Sequence, residues 1–321
     1  MNSLIKQVAS RLKPYLRWII LGGTLFFVVQ AFKTHWREVV EIRISGLGWV
    51  YLALALVVTL LAHVWSGWVW GWIIQEFNQP VRRWWSVRVY LKTNIAKYLP
   101  GNVLHFYGRI LAGKWEGIPI EIATLSVLME PLLMAAAALL CALVTGLGIN
   151  RGLEILSLAA VLMSVHPRIL NPLLQYLRKA KAKAKGTSAE EDPTLRVKRY
   201  PLRPFIGELC FLGLRGTGFL LTVLALGSFT LGQIPLLLSA FSLSWLLGLV
   251  VPGAPGGLGV FEATAITLLD GNFSSPWVLS SVALYRFVSI MAEVSGAFAV
   301  WFGERLSPPS SPEKIKDPNN Q

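Results

Sequence analysis

The sequence predicts an all-α polytopic membrane protein, and three observations carry that class. Of 321 residues, 54% are hydrophobic and only 15% charged, a charge share well under that of an ordinary soluble domain. Apolar stretches long enough to cross about 30 Å of hydrocarbon recur along the chain. The basic residues behind the net charge of +13 sit in short runs between those stretches. The positive-inside rule produces that distribution, which argues against nucleic acid as the partner. The expected architecture is about six full transmembrane helices plus two re-entrant broken-helix hairpins in an inverted repeat.

The elements follow in order. A basic N-terminal stretch (Lys6, Arg11, Lys13, Arg17) leads into a first span over 16–32, read as an anchored helix because no clear small-residue cleavage site follows. A polar link over 33–43 precedes a second span, 48–74. Residues 81–97 carry Arg82, Arg83, Arg88, Lys92 and Lys97. Too polar to span, this basic amphipathic stretch fits an interfacial or re-entrant helix. Pro100-Gly101 breaks it, because proline removes a backbone donor and disfavours helix in the residue before it. A short helix over 102–115 completes the hairpin, and spans follow at 119–147 and 152–172, the latter ending near Pro167 and Pro172.

Residues 173–203 are the long water-soluble stretch. They hold the run Arg178-Lys179-Ala180-Lys181-Ala182-Lys183-Ala184-Lys185, then Glu190, Glu191 and Asp192, then further cations to Arg203. A solvated cytoplasmic loop is expected there, with a lipid-headgroup contact as the alternative. The second half reads as a span over 204–230, a short apolar helix over 235–250, a break from Pro252 to Gly259, a short helix to about 270 and a last span over 275–302. The tail, rich in Pro, Ser and Lys, is expected to be disordered. The chain is thus one integral membrane domain over 1–305, with halves at about 48–172 and 204–303 and a tail over 306–321. Trp65, Trp68, Trp70, Trp72, Trp84 and Trp85 are expected as interfacial anchors. Cys141 and Cys210 lie in apolar segments and behave as small hydrophobes.

Charge bias orients the spans. With the N-terminus in the cytoplasm, 81–97, 173–203 and the tail fall inside, and the links near Asn150 and Thr230 fall outside. The Lys/Arg-rich segments share a side only if both Pro-Gly elements are hairpins rather than crossings. The first hairpin then enters from the cytoplasm and the second from outside, which is the inverted repeat.

The two breaks also carry the chemistry. Glu130 lies 30 residues after Pro100, and Arg286 lies 31 after Pro255. Arg109 precedes Glu130 in the first half, whereas Glu262 precedes Arg286 in the second. Broken helices recurring in two halves of a membrane protein point to a transport site. Helix starts after Gly101 and Gly257 would offer unpaired N–H groups and a positive dipole end, suited to a lipid phosphate. Charges within the bilayer are costly and therefore pair or line a polar cavity. The candidates are Arg109, Glu130, Glu208, Arg215, Glu262, Arg286 and Glu293. Glu208 with Arg215, and Arg286 with Glu293, are seven apart and share a helix face. The competing reading is a structural ion-pair network that fixes helix register. The predicted substrate-binding set is Arg109, Glu130, Glu262, Arg286, Gly101, Asn102, His105, Tyr107, Gly256 and Gly257. His63, set among tryptophans, reads as a packed or interfacial histidine. No Walker loop, His-Glu-x-x-His helix or Gly-x-Ser-x-Gly elbow is present, and no catalytic residue, metal or cofactor is implied.

At these residues the chain resembles the lysylphosphatidylglycerol synthase transmembrane-region family, a flippase-like membrane domain of bacteria and archaea. Two blocks carry the likeness: Asn94–Arg109 with its Leu99-Pro100-Gly101, and Pro252 through Pro255-Gly256-Gly257-Leu258-Gly259 to Glu262. The likeness covers about 15–305. The best-known members carry a fused aminoacyl-transferase domain. No such domain is expected here, so the synthase activity is not carried over.

The resemblance implies translocation of a lipid or lipid-linked substrate. With the buried charges and the Lys/Arg bias, the expectation is movement of an anionic lipid or lipid-linked precursor between leaflets of a bacterial inner membrane, with cytoplasmic termini. Arg109 and Arg286 would attract the phosphate, while Glu130 and Glu262 would balance them in the empty site. A membrane enzyme or a second copy of the chain are the other candidate partners. Two further readings come from different classes. One is a non-transporting membrane subunit that scaffolds a separate glycosyltransferase or lipid synthase. The other is a lipid-modifying enzyme with Glu130 or Glu262 as base.

Overall fold

The computed structural model describes residues 44–98, 103–145, 150–185, 196–251, 257 and 259–306. The expected first span, the Pro-Gly breaks at Pro100-Gly101 and Pro252–Gly256, and the C-terminal tail lie outside them. The chain is an all-α polytopic membrane protein.

The first half opens with α1 (Gly46–Glu76), capped by Ser45, whose hydroxyl accepts the Gly48 N–H at 3.0 Å. Such a cap satisfies a donor that the helix itself cannot. Asn78, with φ of 55°, turns the chain, and its side-chain amide donates to the Arg196 carbonyl. Then come α2 (Arg83–Asn94), a 3-10 turn over Ile95–Tyr98, α3 (Leu104–Trp115) and α4 (Ile120–Thr145). Pro131 lies inside α4, directly after Glu130.

Two helices join the halves, α5 (Arg151–Ser164) and α6 (Pro167–Lys185), bent by 52° at their junction. The expected span over 152–172 is therefore a bent pair. The stretch expected as loop from 173 continues as helix to Lys185. Its alternating Ala and Lys are good helix formers, and Pro167 sits at the helix start, where its missing donor costs nothing.

The second half holds α7 (Leu202–Leu226), a 3-10 turn over Leu231–Gln233, α8 (Ile234–Val250), α9 (Val260–Leu269) and α10 (Ser275–Leu306). Helices α1, α4, α7 and α10, and α8 with its 3-10 turn, are each long and apolar enough to cross a membrane; the bent pair makes a sixth. The short apolar arm expected over 235–250 thus reaches spanning length, unlike its polar counterpart α2.

Helix packing has an internal symmetry. Helix α4 packs on α8 and α7, and α10 packs correspondingly on α2 and α1, while α1 lies along α7 in the most extensive contact of the fold. Exchanging the two halves maps this contact set onto itself. The α1–α7 contact depends on small residues: a Cβ at Gly218 would lie 2.5 Å from Thr59 Oγ1, and one at Gly207 would lie 2.6 Å from Val69 Cγ2. Close backbone approach of this kind is how spans associate without a hydrophobic driving force between them.

The two largest clusters of buried side chains lie one mainly in each half, and two smaller ones, around Ala55 with Ala225 and Ala62 with Phe211, join the halves. Ile73, Ile74, Phe77, Ile122, Leu125 and Leu133 centre the first. Phe219, Phe241, Phe261 and Tyr285 stack edge and face in the second. The tryptophans divide. Trp84 is exposed, but Trp70 is fully buried, stacks on Trp85 and donates to Ser126 Oγ. Trp65 donates from Nε1 to the Gly207 carbonyl at 2.8 Å. These two act as packing and cross-helix donors rather than interfacial anchors, because α7 covers α1 at Trp65 and α4 covers it at Trp70.

Candidate functional site

Two ion pairs occupy matching places in the two halves. Arg109 on α3 reaches Glu130 on α4 at 2.5 Å. Arg286 on α10 reaches Glu262 on α9 at 3.1 Å. Each pair joins the helix after a break to the following span, with the charges exchanged between halves, as their sequence order implies.

Their environments differ. Both side chains of the Arg109–Glu130 pair are 2% exposed. The guanidinium lies 3.8 Å from the Tyr90 ring centroid, and its Nε donates to Thr93 Oγ1. A guanidinium held by a carboxylate, a hydroxyl and an aromatic face has its bonding largely spent. The Arg286–Glu262 pair is more open, at 18% and 14%. Glu262 works twice: one carboxylate oxygen receives Arg286, and the other accepts the Gly259 N–H at 2.7 Å. The donor expected to attract a lipid phosphate at the start of α9 is thus occupied by this side chain. Arg286 also donates to the Gly257 carbonyl at 3.2 Å.

Gly257 has φ of +73°, and a Cβ there would lie 2.9 Å from Gly248 Cα. The left-handed backbone and the contact with α8 both require glycine. His105 is buried, whereas Tyr107 is 58% exposed and lies away from the charges. Gly101, Asn102 and Gly256 fall outside the described residues.

Of the remaining charges, Glu293 and Arg215 take partners from other helices rather than from the same face seven residues away. Lys97, in the 3-10 turn after α2, donates to Glu293 on α10 at 2.5 Å. His63 on α1 lies 3.2 Å from the same carboxylate oxygen. Its Nδ1 faces the Asn94 amide nitrogen at 3.5 Å, and this pattern assigns the hydrogen to Nε2, where it points at Glu293. An Nε2–H cannot also accept from Arg215 Nη1, 3.4 Å away. Arg215 therefore keeps Ser289 Oγ at 3.2 Å and the face of Tyr285, whose hydroxyl donates to the Arg215 carbonyl. Glu208 on α7 is fully buried, and neither carboxyl oxygen has a hydrogen-bond partner among the described residues.

Two adjoining cavities lie among these groups. One, of about 150 Å³, is lined by Lys97, His105, Arg215, Arg286 and Glu293, with Trp245 and Gly257 in its wall. The other, of about 100 Å³, reaches Arg109, Glu130 and His63. Lys97, His105, Phe106, Arg215, Trp245 and Leu249 line both. The structure thus brings together Arg109, Glu130, His105, Arg286, Gly257 and, behind Arg286, Glu262. Lys97 and His63 are the members that sequence reasoning passed over. Lys97 stands in a run of solvated-looking cations, and its position next to the Pro100 break is the one signal that separates it from them.

The chain matches no family model and no curated protein.

Proposed function

We propose that this chain moves an anionic amphipath, a lipid phosphate or a lipid-linked precursor, between membrane leaflets. One observation carries the reading: Lys97, Arg215 and Arg286 line a single cavity, and beside the Lys97–Glu293 and Arg286–Glu262 pairs the Arg215 guanidinium has no carboxylate partner among the described residues. Buried charge without full compensation is expensive in a membrane interior and marks substrate pathways. The matched contacts of the two halves support alternating access, in which one half rocks against the other around a fixed site. The exposed apolar faces of α1 (Leu54, Val57, Leu61) and α10 (Phe287, Val294, Phe298) leave room for acyl chains outside the protein while a headgroup occupies the cavity. The resemblance of the two Pro-Gly blocks to the flippase-like family agrees with this reading. On this reading the chain sits in a bacterial inner membrane with its Lys/Arg-rich segments in the cytoplasm.

Reconstitution tests it. Vesicles containing the purified chain and a fluorescent anionic lipid are treated with an impermeant quencher. Quenching beyond the outer-leaflet half supports translocation; a plateau at the level of protein-free vesicles refutes it.

A further inference from the structure

Three buried polar atoms around the larger cavity have no hydrogen-bond partner among the described residues: Arg215 Nε, His105 Nδ1 and Glu293 Oε2. Native interiors leave few such atoms, and three around one cavity are accounted for by a molecule bound in it. Two are nitrogens able to donate, and one is a carboxylate oxygen that only accepts. A complementary ligand therefore offers acceptor oxygens at one end and an O–H or N–H donor at the other.

The charges narrow the class. Lys97 is matched by Glu293, and Arg286 by Glu262. Arg215 forms no ion pair with a carboxylate among the described residues. Its guanidinium is held by Ser289 and Tyr285, which orient it without neutralising it. An anion arriving at Arg109 or Arg286 would have to displace a carboxylate, whereas at Arg215 it displaces none. One uncompensated positive charge matches a single negative charge, and a dianionic phosphate monoester would leave the cavity over-charged.

Resting on the transport reading above, we infer that Arg215 and His105 anchor the phosphate of a phosphodiester headgroup, and that Glu293 accepts from a hydroxyl or ammonium on the same headgroup. Arg215 Nε and the His105 Nδ1–H donate to the non-bridging phosphate oxygens. The free Glu293 oxygen takes the headgroup donor while its other oxygen keeps Lys97. Arg109 and Glu130 then serve as a register-fixing pair beneath the site, and Glu262 keeps Arg286 in place beside it.

The test measures equilibrium binding to the full-length chain purified in detergent. The probes are glycerophosphoglycerol (a diester with hydroxyls), dimethyl phosphate (a diester without a donor), glycerol 3-phosphate (a monoester) and inorganic phosphate. Glycerophosphoglycerol is expected to bind at least tenfold more tightly than each of the other three. Arg215→Gln is expected to weaken it at least tenfold, and Arg215→Lys, which keeps the charge but loses the planar fork, to weaken it less. Inorganic phosphate binding as tightly as the diester would make this a free-anion site and overturn the inference. Equal binding of the two diesters would remove Glu293 from it. Absence of binding by the wild type means a cavity that holds water only, which also overturns it. If Arg215→Gln does not fold, the probe series on wild type and Arg215→Lys still decides. The two readings fail separately: translocation with binding indifferent to Arg215 leaves transport standing without this anchor, and binding as expected without translocation leaves the anchor standing without transport.

Discussion

Removing the Arg109 side chain is the most informative single perturbation of the buried network. The pair it forms with Glu130 is sealed, each side chain being 2% exposed. Breaking a buried pair by removing one partner costs about 3–5 kcal/mol, because the other charge is stranded. Arg109 also lies over the Tyr90 ring at 3.8 Å, a contact worth about 2 kcal/mol when desolvated. Arg109→Met should therefore lose about 5 kcal/mol or more. Glu130→Leu should lose less, for a reason visible in the structure. The stranded guanidinium keeps the Tyr90 ring face and Thr93 Oγ1, which places this loss at the low end of the range, about 3 kcal/mol. The double variant removes both charges and should return to within about 2 kcal/mol of wild type, leaving a coupling on the order of 6 kcal/mol. The assay is equilibrium unfolding of the full chain in mixed micelles for wild type, both singles and the double. Additive losses, with coupling under about 0.5 kcal/mol, would refute the claim that the pair acts as one structural unit. Equal losses in the two singles would refute the compensation given to Tyr90 and Thr93.

Three other outcomes follow from local geometry. Gly257→Ala forces a side chain into a left-handed backbone and against Gly248 Cα. It should cost about 1–3 kcal/mol by thermal melting, and an unchanged melt would mean that the α8–α9 approach is looser than described. Gly218→Val drives a side chain into Thr59 on α1, so folded yield in membranes should fall sharply while the exposed Gly213→Val on the same helix leaves it unchanged. In a cysteine-free background, Lys179→Cys should resist an impermeant thiol reagent in intact cells and Gly232→Cys should react; the reverse pattern would invert the orientation drawn from charge bias.

The spans were legible because long apolar runs bounded by charge admit few other readings, as in Ile120–Thr145 and Ser275–Leu306. The pairing of Arg109 with Glu130 and of Glu262 with Arg286 was legible in outline from the nearly equal offsets after the two breaks. Helical geometry alone separates Tyr107 from its neighbours. It lies two residues, or roughly 200° around the helix, from Arg109, while His105 lies four residues away on the same face. The sequence reading grouped all three, and the structure leaves Tyr107 exposed. What could not be read is what depends on packing between halves. Glu293 takes Lys97 and His63, two groups about two hundred residues earlier, because α10 packs on α1 and α2. Burial of Trp70 comes instead from packing within the first half, against Trp85 and Ser126. The α6 helix was missed for a different reason: its charge density read as a solvated loop, although Ala and Lys both favour helix.

The account stands most directly on headgroup charge selectivity. Two fluorescent lipids with the same acyl chains, one bearing a monoanionic phosphodiester headgroup and one with no net charge and no phosphate, are reconstituted into the same vesicles. Their initial transfer rates are then compared with and without the protein. A cavity lined by Lys97, Arg215 and Arg286 predicts a protein-dependent rate more than about tenfold faster for the anionic lipid, a ratio that needs only about 1.4 kcal/mol of preferential stabilisation. Equal protein-dependent rates for the two lipids would mean that these cations do not select the substrate, and would contradict the account.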